Sequence, residues 1–139
     1  MKNSVNILIL LLFSISACSE IVDSEYSTLD MARKKNAIRT GLIPDWLPDT
    51  SRQLIVALDV GTGEKILTFQ YKTAEGWNPM ELCKQIEPLE SPKPHISREW
   101  WPENISANAT HTFYACENGD SFLAAHPKGG KAFYWNTKV

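Results

Sequence analysis

The chain has 139 residues, 43% hydrophobic and 22% charged, and its 14 basic against 16 acidic side chains leave a formal charge of −2 at neutral pH. That balance excludes a protein that binds nucleic acid by neutralising phosphates. The length suits one domain with a sizeable core and leaves no room for two.

The first 17 residues divide into a polar, basic start (Met1 to Ser4), an apolar stretch from Val5 to Phe13 broken only by Asn6, and the small-residue run Ser14 to Ala17. This is the layout of a secretory signal, with an apolar part too short to span a bilayer, which takes about 20 helical residues. Ile15-Ser16-Ala17-Cys18 resembles the bacterial lipobox, in which an aliphatic residue and two small ones precede a cysteine that is lipidated and becomes the new N-terminus. The expected segments are a signal peptide over 1–17, a lipidated Cys18 with a tether over 18–26, and one domain over 27–139. Each buried methylene of an acyl chain contributes about 0.8 kcal/mol, and more than one chain makes anchoring stable. By resemblance to the known sorting rule, Ser19, standing where an aspartate would favour inner-membrane retention, points to the outer membrane, with the domain facing the periplasm. Loss of Lys2 leaves 13 basic residues against 16 acidic ones in the mature chain, or −3. Cys83 and Cys116 then remain as a pair in an oxidising compartment, where a disulfide is expected.

The pass along the chain begins with a polar tether, Ser19 to Ser24. A helix follows, capped at Ser27, running through Met31 to Arg39 and stopped at Gly41. Pro44 and Pro48 make Gly41 to Ser51 rigid and non-repetitive. Alternating apolar residues over Arg52 to Lys72 predict a hairpin turning within Asp59 to Glu64. Asn78 and Pro79 can start a short helix through Gln85, and Pro88, Pro92 and Pro94 forbid regular structure up to about Ser97. Ser97 to Asn108 reads as an ordered loop or one helical turn. Thr110 to Glu117, Asp120 to Ala125 and Lys131 to Trp135 predict three strands, the first two joined by the hairpin signal Asn118-Gly119. The expected fold is therefore α+β: a mainly antiparallel sheet of about five strands with an N-terminal and a short middle helix, the latter pinned to the sheet by one disulfide.

Constellations that carry chemistry are sparse. Gly61-Thr62-Gly63-Glu64-Lys65 departs from a phosphate loop, because Glu64 precedes the lysine, Ile66 follows it and a strand comes next. His95, His111 and His126 lack the spacing of a known metal-ligand motif. A cysteine nucleophile is a poorer explanation of Cys83 and Cys116 than a disulfide. No catalytic residue, metal or cofactor is expected. Tryptophan is enriched, with five residues. Trp100 and Trp101 cannot both point into one core from an extended chain, so a binding patch on Trp100 and Trp101, with Trp46, is a candidate.

One segment carries a resemblance. Gly41-Leu42-Ile43-Pro44-Asp45-Trp46-Leu47-Pro48-Asp49-Thr50-Ser51, with Asp59, Thr62 and Phe69, is similar to the G-x-x-P-x-W-L-P-x-S-A stretch and D-x-D-T hairpin of YbbD-like bacterial proteins. It departs from them at Thr50-Ser51, where Ser-Ala is usual, and at Asp59-Val60-Gly61-Thr62, where the second aspartate is missing. The resemblance implies a shared small α+β fold in proteins that are often lipid-anchored and supplies no catalytic residues. The expected function is a non-enzymatic envelope lipoprotein that binds a protein or envelope component, one form being an immunity or inhibitor protein. The alternatives are an enzyme acting on envelope polymers through Asp45, Asp49 and Asp59, or a structural lipoprotein of a membrane complex.

Overall fold

The structure is a computed structural model describing residues 20–73 and 77–137; Cys18 and the export signal lie outside them. The expected α+β architecture is overturned. The described chain forms a single seven-stranded antiparallel sheet: β1 (Ile21–Thr28), β2 (Arg52–Asp59), β3 (Lys65–Tyr71), β4 (Cys83–Ile86), β5 (Thr112–Cys116), β6 (Ser121–Ala125) and β7 (Gly130–Asn136). The strands lie in the order β1-β2-β3-β7-β6-β5-β4. Its one α-helix, α1, covers only Leu29–Lys34.

The differences have local causes. The stretch read as a tether is β1, which lies antiparallel to β2 with Ile21 opposite Asp59 and Thr28 opposite Arg52. The cap of α1 is Thr28, whose hydroxyl accepts from the Met31 N–H at 3.1 Å, and not Ser27. The helix ends five residues earlier than Arg39 because Asn36 takes a left-handed conformation, with φ at 62°. Ala37 N–H then returns to Ala32 O and Asn36 N–H to Arg33 O, the paired bonds of a Schellman stop in which asparagine does the work usually given to glycine. Asn36→Ala should therefore cost about 1 kcal/mol, while Asn36→Gly should be close to neutral; urea denaturation of both variants checks this. The expected middle helix is a single turn of 3-10 helix (Pro79–Glu81) followed by β4, so the disulfide does not pin a helix. It joins Cys83 to Cys116, directly opposed residues of β4 and β5.

Both faces of the sheet are buried, which is why β3 is buried at six of its seven positions rather than at alternate ones. The connection between β1 and β2, residues 29–51, covers the front face. Its Leu29, Ala32, Ala37, Ile43 and Leu47 pack on Leu54, Val56, Leu67, Phe69, Leu123 and Tyr134. The connection between β4 and β5, residues 87–111, covers the back face, where Ile96, Trp101 and Ile105 pack on Ala57, Ile66, Phe113, Phe133 and Trp135. Each cover leaves and rejoins the sheet at one end and reaches the other end between, where it is fastened by one of two consecutive buried charged residues. Glu64 accepts from the backbone N–H groups of His95 and Ile96, both at 2.7 Å, on the back. The Lys65 ammonium donates to Gly41 O at 2.7 Å on the front. Successive residues of an extended chain point to opposite faces, so one dipeptide holds both covers.

Candidate functional site

The cover segment Ile38 to Asp45 does not close completely over the sheet. Between it and the strand ends is a cleft lined by Arg39, Gly41, Asp45, Lys65, Glu117 and Tyr134. Lys65 enters at the first position of β3 with only 8% of its surface exposed. Burial lowers its pKa, an effect partly offset by the Glu117 carboxylate. The ammonium also sits 5.5 Å from the centre of the Tyr134 ring, within cation–π range.

Glu117 faces it from the turn between β5 and β6. Three successive residues there, Glu117, Asn118 and Gly119, have positive φ angles of 52°, 59° and 87°. Glycine tolerates that conformation, but for glutamate it is strained. The strain places one carboxylate oxygen where it accepts from both the Trp46 indole N–H, at 3.2 Å, and the Tyr134 hydroxyl, at 3.1 Å. Trp46 also packs edge-on against Tyr134, with ring centres 5.8 Å apart. Glu117 and Tyr134 of the cleft wall are thus hydrogen-bonded together and backed by Trp46, Lys65 lies over the Tyr134 ring, and the exposed Arg39 and Asp45 stand on the rim. Such a site can hold a polar or charged group of a partner against preorganised, partly desolvated charges.

The phenols give the fold an alkaline limit. Burial raises the pKa of Tyr134, Tyr71 and Tyr114 above the usual 10. A phenol that keeps its proton longer in the folded state stabilises the fold below pH 10 and loses that contribution as the pH climbs towards its folded value. Lys65 works the other way, since its lowered pKa means that the fold gains as the ammonium loses its proton on approach to 10.5. Three phenols oppose one amine, so stability should fall above pH 10. Tyr134→Phe should flatten the fall, as measured by urea midpoints between pH 9 and 11.5.

The sequence-derived candidates are scattered. Trp101 of the back cover is buried against Phe133 and Trp135 of the sheet, with ring centres 5.4 and 5.7 Å away. Trp100 is half-buried beside it. Trp46 is on the opposite face, so the structure does not bring the three tryptophans into one patch. The three aspartates are also separate. Asp59 accepts from the N–H groups of Gly61 and Thr62 and shapes the β2–β3 turn. Asp49 pairs with Arg33 at 3.0 Å, and Asp45 stands on the cleft rim. Cys83 and Cys116 are bonded as expected. Among the described residues no group of three or more His, Cys, Asp or Glu is placed to hold a metal ion. Sequence reasoning passed over Glu64, Lys65, Glu117 and Tyr134. The available signal was a pair of charges set directly before the apolar run of β3, where a solvated turn would have no need of them.

These features define a single-sheet protein with two irregular covers and a polar cleft where the front cover meets the strand ends. Residues 20–70 match the family model of the YbbD head domain, a stretch that includes β1, the front cover, β2 and most of β3. Over that stretch the chain is YbbD-like, and the matched residues supply Arg39, Gly41, Asp45 and Lys65 to the cleft. No curated protein and no solved structure matches the chain.

Proposed function

We propose that this is an envelope lipoprotein that binds a protein or envelope component through the Lys65–Glu117 cleft, without catalysing a reaction. A chemically specific form is an immunity or inhibitor protein that captures a toxin or hydrolase at the periplasmic face. The observation that carries the binding reading is the strained backbone at Glu117, which holds a carboxylate opposite a buried ammonium at the mouth of an open cleft. Strain of this kind persists where the surroundings impose it and clusters at binding sites. The separate engagements of Asp49 and Asp59 leave the carboxylate enzyme without a paired site.

In this proposal Cys18 carries the acyl chains and the protein sits on the outer membrane. No helix among the described residues is long and apolar enough to cross a membrane. Because β1 begins at Ile21, three residues after Cys18, the extended chain between them spans only about 10 Å. The end of the sheet bearing the Asp59–Glu64 turn would then lie close to the headgroups.

Mass spectrometry of the mature N-terminus tests the anchor: a diacylated or triacylated cysteine is expected, and an unmodified residue there overturns it. The cleft is tested on its rim, where Arg39→Glu and Asp45→Lys leave the folded core untouched. A partner recovered stoichiometrically from detergent extracts should be lost at least tenfold with the double variant. Undiminished recovery removes the cleft from the proposal.

A further inference from the structure

The sheet has two edges, and they are guarded very differently. β4 is four residues long, carries an exposed lysine, Lys84, and is stapled to its neighbour by the disulfide. Short length and lysine are among the devices that keep an edge strand from pairing with other chains. β1 is eight residues long, Ile-Val-Asp-Ser-Glu-Tyr-Ser-Thr, with no lysine, arginine or proline, and its register with β2 is unbroken from Ile21 to Tyr26.

The ladder fixes which of its groups face outwards. Val60 N–H donates to Glu20 O, so with this register the even-numbered residues exchange hydrogen bonds with β2. Bonded and non-bonded pairs alternate along an antiparallel ladder. The N–H and C=O groups of Ile21, Asp23 and Glu25 therefore point away from the sheet, along an edge with no further strand among the described residues. Beside it Gln53, with φ at 50°, bends β2 at a bulge. A shallow trough opens there, lined by Glu25, Tyr26, Ser27, Gln53, Leu54 and Ile55.

The charge of the edge selects its occupant. Asp23 is neutralised by Arg98, which donates two bonds to it at 2.8 and 2.9 Å. Glu25, two residues along on the same face, is exposed and forms no ion pair with a described residue. A second copy of this chain is a poor occupant. Antiparallel registers that pair the outward residues about the middle of β1 set Asp23 or Glu25 against an acidic residue of the other copy, and like charges directly opposite destabilise a sheet. We infer that the free edge of β1 docks an extended segment of a partner protein as an eighth strand, with a lysine or arginine of that segment opposite Glu25. Main-chain bonds to the outward groups would supply affinity and the carboxylate would select charge. This inference does not depend on the cleft, and its test touches none of the cleft residues.

The test uses the full chain in a nonionic detergent and fluorescence anisotropy with a labelled decapeptide of alternating lysine and threonine. The peptide should bind saturably, and its glutamate–threonine counterpart at least tenfold more weakly. Glu25→Lys should reverse that preference. Glu25→Pro, which removes one outward N–H and leaves the β2 ladder intact, should weaken binding of the lysine peptide at least tenfold. Should Glu25→Pro fail to fold, a lysine–threonine peptide N-methylated on alternate residues makes the same test from the other side and should not bind. No binding of the parent peptide, equal binding of the N-methylated one, or a dimer of the protein occupying the edge would each overturn the inference.

Discussion

Replacing Glu64 with alanine should destabilise the protein by about 3–5 kcal/mol, because it strips the acceptor from one buried and one part-buried backbone N–H group and removes a charge-assisted partner. That is roughly 10–20 °C in melting temperature for a domain of this size. One carboxylate oxygen serves both the His95 and Ile96 amides and the other meets His95 Nδ1 at 2.9 Å. The ring of His95 is 88% exposed while Glu64 is almost fully buried, so the weight of the interaction lies in the backbone amides. His95→Ala should accordingly cost under about 1 kcal/mol, the range of exposed ion pairs. Glu64→Gln keeps an oxygen for both amides and should fall between the two variants. Thermal melts of the three variants decide the matter: equal losses for His95→Ala and Glu64→Ala would show that the ring, and not the chain, is what Glu64 holds.

Removing the disulfide with Cys83→Ala and Cys116→Ala together should cost about 3–4 kcal/mol by the chain-entropy account, given a sequence separation of 33. The loss should also have a place. β4 has only four residues and pairs with β5 alone, so without the bond its amides should lose hydrogen-exchange protection before those of β3 and β7 at the centre. Uniform loss across the sheet would contradict this picture.

The central part of the fold was legible in the sequence because its strands are apolar and long. Leu54 to Leu58, Leu67 to Tyr71 and the Asn118-Gly119 turn predict β2, β3 and the β5–β6 connection to within a residue or two. The two strands that sequence analysis missed are the two edges. β1 is polar on both faces and reads as a tether, since an edge strand has less surface to bury. β4 is too short to show a period, and Asn78-Pro79 starts a helical turn that ends before it. The helical pattern past Lys34 was overruled by Asn36, whose left-handed conformation ends the helix just before Ala37 and Ile43 of the front cover pack onto the sheet. Trp100 and Trp101 are not kept out of one core as an extended chain would keep them, because Trp101 N–H donates to Arg98 O in a turn and both side chains pack on the back-face cluster, Trp101 buried and Trp100 partly so. The cleft was not legible because its members come from positions 39, 41, 45, 65, 117 and 134, and no local pattern announces that they meet.

The Glu64-Lys65 pair makes the alignment of the β2–β3 hairpin self-checking. Sliding β3 by a single residue would turn the carboxylate towards the carbonyl of Gly41 and the ammonium towards the amides of His95 and Ile96, so that like would meet like on both sides at once. Insertions within either cover remain tolerable as long as Gly41 and His95 still reach their posts, whereas a residue gained or lost between Asp59 and Glu64 would release front and back together. The most conservative-looking exchange, transposing the two charges in place, should therefore harm this protein more than deleting either one.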